Sequence, residues 1–419
     1  MGERDPILLQ PQDLAILALE SETVAGHACK VVLVGEGAPG LAELRRAIAR
    51  RIAGAPELTR RLGEAGGAAA WVPDEGFDLA AHVVASPARE PLDGAGLRRE
   101  VARLFAERLD RSRPLWRIDV APLEGGWQAL VWRTHHALAD GTTAMRYARA
   151  ILWDRQPEPA GGAEAHGASA AADDERRRGH LLGFMRREIG PPGHPSPFDG
   201  RIGTRRQVAF ASVPLGPLHD AARSAGAATV NDAVLTVVAG GIRRWLEARH
   251  GPLGTIRVQV PVSLHHEGDD PGNRDSFFSL GVPLAEPDAV ARLRAVHAAT
   301  AARKAGDDAR THDEMMRALA RRSPALRALA ARLEASPRAF AVAVSNVVGP
   351  RSPVTVLGAP VRGLYSLAEI GQRHALRVGV VSLADTLGLG LCADPGIVDD
   401  LQAMAEGAEA EARALIEAA

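Results

Sequence analysis

Short apolar runs alternate with longer amphipathic segments along the chain, and this alternation restricts the fold to the α/β class. In the first half the pattern predicts strands at 30–34 and 127–134, and helices at 41–52, 95–109 and 142–153. The run at 127–134 is short and rich in aromatic and branched side chains, which is typical of a strand covered on both faces.

The second half repeats the alternation, so both halves are expected to contain a sheet with flanking helices. No short repeat period is visible, which argues against a solenoid. The predicted strands are 207–215, 256–264 and 339–350, with a hairpin at 377–394, and the predicted helices are 231–249, 288–305 and 396–418.

The length of 419 residues exceeds what one core usually organises, so two subdomains are expected. Between the halves, residues 154–203 are rich in Pro, Gly, Ala and Ser and cannot bury much core. We predict an N-terminal subdomain at 1–153, a linker at 154–203 and a C-terminal subdomain at 204–419. Within the linker, the basic amphipathic segment 181–189 is read as a solvated helix, with contact to a lipid surface as the alternative.

Charge and cysteine content exclude several classes of protein. The 50 basic and 51 acidic residues give a net charge of −1, so nucleic acid is not an expected partner. Two cysteines, Cys29 and Cys392, are too few for a disulfide framework or a cysteine-based zinc site, and both are expected to be small buried hydrophobes. The N-terminus lacks the basic start and apolar core of a signal peptide, and no window approaches the roughly 18 apolar residues of a membrane span. The sequence therefore predicts a cytoplasmic protein that meets a membrane only at its surface.

One chemical motif stands out in the segment VWRTHHALADG (131–141), which has the pattern His-His-x-x-x-Asp-Gly. A buried strand delivers the two histidines to a loop, and the next helix begins at the aspartate and glycine. Rigid strand-to-helix loops of this kind commonly present catalytic groups. The near-copy HHEGDDPG (265–272) lies in a run of acids, Gly and Pro that is typical of a solvated loop, so only the first motif is predicted to be functional.

His136 is the best candidate for a general base, because an unperturbed imidazole titrates near pH ~6.5. His135 is also a candidate catalytic residue, although a structural histidine is the simpler interpretation. Asp140 fits a helix N-cap, which is compatible with an electrostatic role beside the base. Adjacent histidines point in different directions and no third ligand follows at a recognisable spacing, so no metal is predicted. No G-x-S-x-G motif is present to supply a nucleophilic serine.

The motif, preceded by LDRSRPLW (109–116), resembles the bacterial wax ester synthase/diacylglycerol acyltransferase family. That family belongs to the CoA-dependent acyltransferases built on the chloramphenicol acetyltransferase fold. The likeness runs almost end to end. Its further segments are PQDLAILALE (11–20), GHACKVVLV (26–34), WVPDEGFDLAAHV (71–83), TVNDAVLTVVAGGIRRWL (229–246), GNRDSFFSLGVPL (272–284), SNVVGP (345–350) and DPGIVDDL (394–401).

The resemblance implies two acyltransferase-like α/β subdomains, each a mixed sheet with flanking helices, and an active-site tunnel between them. It implies transfer of a fatty acyl group from acyl-CoA to a fatty alcohol or a diacylglycerol, giving a wax ester or a triacylglycerol. His136 would act as the general base, without an acyl-enzyme and without a cofactor beyond acyl-CoA as co-substrate. Such an enzyme would work in the cytoplasm or at the surface of a membrane or lipid droplet.

The resemblance also assigns supporting residues. Gly141 would leave space and backbone freedom where substrate passes the loop, and Asp140 would pair with an arginine, for which Arg113 or Arg117 is a candidate. The remaining candidates for the tunnel or the oxyanion site are Asn231, Asp232, Ser263, Ser345 and Asn346. Capping is the simpler reading of the Asn-Asp pair, and a strand end or turn is the simpler reading of the others.

Two alternatives stay open at the level of sequence. One is an acyltransferase of the same fold that uses a carrier-protein-bound acyl donor and a polyketide or peptide acceptor. The other is a non-catalytic lipid-droplet scaffold that retains the motif. Residues Ser382 to Asp385 depart from the Ser-Tyr-x-Gly pattern common in the family, so substrate preference is expected to differ.

Overall fold

The chain is described from a computed structural model, which covers residues 5–154, 196–226, 228–251, 254–263, 275–305 and 339–419. The strands are β1 (Ile7–Leu8), β2 (His27–Val34), β3 (Arg60–Ala65), β4 (Ala68–Pro73), β5 (Val83–Ala85), β6 (Trp116–Pro122), β7 (Gln128–His135), β8 (Gln207–Pro214), β9 (Thr255–Ser263), β10 (Asp275–Pro283), β11 (Val342–Val347), β12 (Thr355–Val356), β13 (Ala359–Ala368), β14 (Leu376–Leu383) and β15 (Thr386–Ala393).

Most helices bury some residues against the rest of the protein and expose others to solvent, and the helix Val230–His250 is buried over most of its length. The helices are α1 (Pro11–Ala18), α2 (Leu41–Arg51), α3 (Leu79–His82), α4 (Gly94–Ala106), α5 (Gly141–Ile151), α6 (Leu215–Ser224), α7 (Val230–His250), α8 (Ala289–Ala305) and α9 (Leu401–Glu417), with short 3-10 turns at Ile52–Gly54, Pro56–Thr59 and Glu124–Gly126.

Two six-stranded mixed sheets organise the molecule. The first has the order β12-β13-β2-β7-β6-β5, and the second has the order β10-β9-β11-β14-β15-β8. In the first sheet only β5 and β6 run parallel, whereas in the second β11 runs parallel to both of its neighbours. A small antiparallel sheet, β1-β4-β3, lies beside the first. The predicted α/β class with two mixed sheets is confirmed.

The strand β13 joins the two halves. It follows β11 of the second sheet in the sequence but pairs antiparallel with β2, so that it completes the first sheet. The predicted boundaries of the C-terminal subdomain, 204–419, do not include this exchange. One strand from that range, β13, belongs to the sheet of the N-terminal half. The exchange brings β13 against β14 and β15, and the two sheets meet along this strand.

A buried ion pair reinforces the junction between the halves. The Arg206 guanidinium lies 3.0 Å from Glu369 Oε1 and also donates to the Thr23 carbonyl. The other carboxylate oxygen of Glu369 accepts the Ala25 backbone N–H at 3.0 Å. Burial raises the pKa of Glu369, although the Arg206 charge opposes that rise. These contacts tie the segment before β2 to both β8 and β13.

Of the remaining structural features, the two cysteines agree with the sequence predictions and several strands were not predicted. Cys29 and Cys392 are both buried and free of disulfides, as expected, and burial raises the pKa of Cys29 to about 12. The short sheet β1-β4-β3 and the strands β6, β10 and β13 were not predicted. The linker residues 155–195, including the segment 181–189, lie outside the described residues.

Candidate active site

The strand β7 ends at His135, and the ring of this residue is fixed on both sides. Its Nδ1 accepts the Ala137 backbone N–H at 3.0 Å, which leaves the ring proton on Nε2. Nε2 donates to Glu20 Oε1 at 2.8 Å, and Arg111 lies 2.6 Å from the second oxygen of Glu20. Burial would raise the pKa of Glu20, but the hydrogen bond from His135 and the Arg111 charge outweigh it and lower the pKa. This arrangement makes His135 a positioning residue for the loop that follows.

His136 is the first residue beyond β7, and its backbone N–H donates to the Gly26 carbonyl at 3.0 Å. Its side chain lines a cavity between the two halves of the protein. Burial lowers the pKa of His136 to about 3, and the nearby charges of Arg377 and Lys30 act in the same direction. The imidazole is therefore neutral at physiological pH, which is the state that accepts a proton.

Asp140 caps α5, the helix that follows the motif. Its Oδ1 accepts the Thr143 backbone N–H at 2.7 Å, and its side chain is almost fully buried. The predicted candidate arginines make their ion pairs elsewhere: Arg117 lies 3.0 Å from Asp119, and Arg113 lies 3.5 Å from Asp110. Among the charges near Asp140 is the Lys30 ammonium, whose pKa the Asp140 carboxylate raises against the effect of burial.

Gly141 is required by packing. Its φ is not in the left-handed region, but a Cβ built on it would lie 2.5 Å from Val347 Cγ2 of β11. The first residue of α5 therefore touches the second sheet directly. The contact between the halves gives a reason for a glycine here that does not depend on φ, and the role of Gly141 in substrate passage stays a prediction.

We predict that Gly141→Ala lowers both stability, by about 1–3 kcal/mol, and activity, because the added methyl pushes α5 and the His136 loop away from β11. Val347→Ala removes the opposing methyl groups, so the double variant Gly141→Ala/Val347→Ala should recover most of the loss. Thermal unfolding and acyl transfer measured on all three variants test this. A double variant as impaired as Gly141→Ala would show that the contact with Val347 is not the reason for the glycine.

The cavity beside His136 has a volume of about 390 Å³ and receives residues from both halves. The first half contributes α1 with the segment after it, β2 and the motif, and the second half contributes β9, β10, the end of β11 and the segment from β13 to β14. Most of the lining surface is apolar, with side chains such as Ile16, Leu19, Val24, Phe277 and Leu367, and polar and charged side chains are interspersed among them. A largely apolar surface around a neutral imidazole can hold hydrocarbon chains next to a base.

The structure brings some predicted residues to this cavity. His136, Asp140 and Gly141 line it together with Ser345 and Asn346, which lie near the end of β11. Ser263 is the last residue of β9, a strand that contributes Gln259 and Pro261 to the same cavity. The second histidine pair, at 265–266, lies outside the described residues.

The predicted pair Asn231 and Asp232 is placed differently. Thr229 caps α7, and Asp232 completes a capping box with it. The Asp232 carboxylate also binds His297 Nδ1 at 2.9 Å and accepts from the Thr300 hydroxyl at 2.6 Å. Neither Asn231 nor Asp232 lines the cavity around His136. Asp232 therefore joins α7 to α8, and neither residue borders this chamber.

Several polar residues of the cavity were not predicted from the sequence, and Lys30, Ser366 and Arg377 are among them. Lys30 Nζ donates to Ser366 Oγ at 2.6 Å across the β2–β13 pairing. A charged residue within the apolar run HACKVVLV was the available signal for Lys30, because the central strand of a covered sheet has no solvated face. No local pattern marked Ser366 or Arg377.

Comparison with known protein families agrees with this geometry. The wax ester synthase/diacylglycerol acyltransferase catalytic domain matches residues 9–188, and the C-terminal domain of the same family matches residues 271–415. The chain belongs to this family. It is accordingly an O-acyltransferase, and the predicted family assignment is confirmed.

Related proteins and solved structures extend the comparison. A probable diacylglycerol O-acyltransferase of Mycobacterium tuberculosis, tgs1, is 29% identical over 375 residues, which is 82% of this chain and 80% of the relative. A second, tgs2 of the same organism, is 28% identical over 354 residues, covering 77% and 78%. The wax ester synthase/diacylglycerol acyltransferase from Marinobacter aquaeolei VT8 shares the fold with a TM-score of 0.70 at 23% identity, covering 98% of both chains.

The first condensation domain of the calcium-dependent antibiotic synthetase also shares the fold, with a TM-score of 0.61, 19% identity and coverage of 99% and 96%. The fold is thus shared by a wax ester synthase/diacylglycerol acyltransferase and by a condensation domain. Within the described parts of this chain, no helix combines the length and apolar character needed to cross a membrane.

Proposed function

We propose that this chain transfers a fatty acyl group from acyl-CoA to the hydroxyl of a fatty alcohol or a diacylglycerol, and that acyl-CoA is a co-substrate with no further cofactor. The observation that carries the proposal is a neutral imidazole, His136, whose Nε2 atom is buried and which lines a cavity of mostly apolar surface between the two halves of a chain of this acyltransferase family. The names of the mycobacterial relatives support acyl transfer to diacylglycerol.

In the proposed step, His136 accepts the proton of the acceptor hydroxyl while the hydroxyl oxygen attacks the thioester carbonyl carbon. The carbon–sulfur bond then breaks, and the imidazolium returns the proton to the CoA sulfur. No bond forms between the acyl group and the protein. The rate gain comes from holding both substrates at the base and from donors to the developing oxyanion, which are often worth ~3 kcal/mol each. Ser345 and Asn346 are candidates for those donors because they line the same cavity.

The low pKa of His136 shapes this mechanism. A free imidazolium is disfavoured in the empty site by burial and by neighbouring cations. Negative charge that develops on the thioester oxygen offsets that penalty, so protonation of His136 is favourable only as the tetrahedral species forms. Proton transfer and attack are therefore expected to be tightly coupled.

The pH dependence of kcat/KM follows from the same shift. An unperturbed histidine base would lose activity below its usual pKa of 6.5, whereas His136, with its pKa lowered to about 3, stays unprotonated as the pH falls through that range. We expect kcat/KM to show no acid limb near pH 6.5 and to decline only at clearly lower pH. Initial rates from pH 4.5 to 8, with preincubated enzyme assayed again at pH 7.5 to exclude unfolding, provide the test. A reversible limb centred near pH 6.5 would contradict the prediction.

The proposed function is tested by release of CoA thiol from palmitoyl-CoA, with hexadecanol, dioleoylglycerol and a short alcohol supplied separately. Acceptor-dependent release, with the matching ester found as product, supports the proposal and names the acceptor. If no acceptor gives CoA release but an acyl carrier protein supports turnover, the carrier-dependent alternative would replace the proposal. The absence of turnover with both donors would favour a non-catalytic scaffold.

Access to a lipid surface is a further part of the proposal. Leu8, Leu14 and Leu19 are 54%, 45% and 65% exposed, and Leu19 also lines the cavity of His136. Exposed leucines on and beside α1, one of which also lines the chamber, would let a water-insoluble acceptor pass from a lipid surface to the site.

We expect Leu8→Asp/Leu14→Asp to reduce flotation of the protein with lipid vesicles severalfold, because these two leucines would otherwise insert at the surface. The double variant Ala301→Asp/Ala302→Asp on α8 adds the same charge at exposed positions and should float like the wild type. Equal flotation of both double variants would contradict docking through the leucines.

A further inference from the structure

Lys30 introduces a charge into the active-site cavity that the proposed chemistry does not use. The side chain belongs to β2, is only 3% exposed and lines the same cavity as His136. The chain contains two lysines, Lys30 and Lys304, whereas its other 48 basic residues are arginines. A lysine here places a compact point charge with three rotatable donors, where a guanidinium would need room for a planar fork.

Lys30 lies at the end of the cavity where β2 passes into the core. It pairs across the sheet with Trp132 of β7 and Ser366 of β13, so the three side chains share one face. Trp132 and Val32, two residues further along β2, are packed into the core beneath α5. Ala28 and Lys30 line the cavity but Val32 does not. Any group that reaches this end of the chamber therefore meets the ammonium.

The hydrogen bonding of Lys30 is incomplete. Among the described residues, Ser366 Oγ is its one hydrogen-bond partner, at 2.6 Å, although an ammonium carries three donors. Burial lowers the pKa of Lys30 to about 8, and nearby Asp140 opposes that shift, so the ammonium stays charged at neutral pH. A buried donor without an acceptor is unfavourable, so an oxygen of water or of substrate is expected to accept its remaining hydrogen bonds.

The electrostatic surroundings favour a neutral oxygen over a full negative charge as the missing acceptor. The Asp140 carboxylate also lines the cavity and interacts with Lys30, so part of the lysine charge is already balanced. What remains unmet is hydrogen bonding. Ester carbonyl oxygens of a glyceride lie within a few bonds of its free hydroxyl, whereas a long-chain alcohol has no oxygen besides the one that reacts.

We propose that Lys30 is a specificity-determining residue that donates hydrogen bonds to an ester carbonyl of a diacylglycerol while the free hydroxyl of the same molecule lies at His136. This inference rests on the proposed function and deepens it by favouring the glyceride over the fatty alcohol as acceptor. Sites that hydrogen-bond a substrate oxygen discriminate strongly against analogues without it, because the site's own donors are then left unpaired.

The test is a competition between dioleoylglycerol and hexadecanol in one reaction with palmitoyl-CoA. The ratio of triacylglycerol to wax ester reports the ratio of the two kcat/KM values and does not depend on the fraction of active protein. We expect Lys30→Met and Lys30→Ala each to shift this ratio about tenfold or more toward wax ester. Methionine keeps the length of the side chain and so leaves no hole in the packing, whereas alanine is too small to create a clash. A result shared by both variants is therefore not due to either kind of packing defect.

Lys304→Met is the matched control, because Lys304 is exposed on α8 and its replacement removes the same charge. Its product ratio should equal that of the wild type. An unchanged ratio in both Lys30 variants, whatever the total activity, would overturn the assignment while leaving the proposed function intact. A wild-type protein that releases CoA with neither acceptor would overturn the proposed function and this inference together.

Discussion

Replacement of His136 by alanine is expected to reduce acyl transfer at least about 10³-fold, because the step loses both the base for the hydroxyl and the acid for the CoA sulfur. The side chain is not part of either apolar core, and its backbone hydrogen bond to Gly26 does not depend on the imidazole. Stability should therefore change little. The measurement is CoA release with the preferred acceptor, beside thermal unfolding of the same preparation.

His265 offers a control from the second His-His-x-x-x-Asp pattern of the chain, in which it stands beside His266, the counterpart of His136. His265→Ala should retain activity within a few-fold of the wild type. A further variant, His136→Gln, keeps a hydrogen-bonding group but cannot exchange a proton near neutral pH, and should be as inactive as His136→Ala. Comparable losses for His265→Ala and His136→Ala would remove the distinction between the two motifs.

The local part of the site could be predicted from the sequence. The apolar run at 127–134 and the helical pattern at 142–153 correspond to β7 and α5, with His136 in the loop between them. Both signals depend on side-chain periodicity within about a dozen residues, which is the range over which a sequence reports its own secondary structure. The capping role suggested for Asp140 is of the same kind, since the donor is three residues away.

The long-range part of the site could not be predicted. The ring of His135 is oriented by Glu20, which is 115 residues earlier, and Lys30 binds Ser366 across 336 residues. No periodicity connects such pairs, because they are created by the strand order of the sheet. The placement of β13 next to β2 is the decisive event, since it brings Ser366 to the cavity. From the sequence alone, Lys30 was only the first residue of the predicted strand 30–34.

The exchange of β13 also explains glycines that carried no signal in the sequence. A Cβ built on Gly388 of β15 would overlap the Leu364 carbonyl oxygen of β13, and one built on Gly390 would overlap the Ser366 carbonyl oxygen. The alternation of Gly and Leu at 387–391 looked like an ordinary apolar strand. In the structure its glycine face meets the backbone of β13, while Leu387, Leu389 and Leu391 are buried in the core of the second half.

Gly388→Ala is accordingly expected to destabilise the protein by about 3 kcal/mol or more, at the upper end of what overpacking usually costs. The obstructing atom is a backbone carbonyl oxygen within a paired strand, so no flexible side chain can move aside. Relief requires β13 and β15 to separate, which would loosen the contact between the two sheets and move Ser366 relative to His136. The midpoint of chemical denaturation and the CoA-release rate should fall together.

Gly216→Ala supplies the comparison that isolates this cause. Gly216 is exposed in the first turn of α6, and a Cβ built there meets nothing within 4 Å. The new methyl would meet only the ring of the following Pro217, which disfavours helical backbone for a residue with a Cβ, so the same chemical change should cost clearly less stability than Gly388→Ala. If Gly388→Ala proved as stable as Gly216→Ala, the backbones of β13 and β15 would not be in contact. The placement of Ser366 in the cavity, which depends on that contact, would then be wrong.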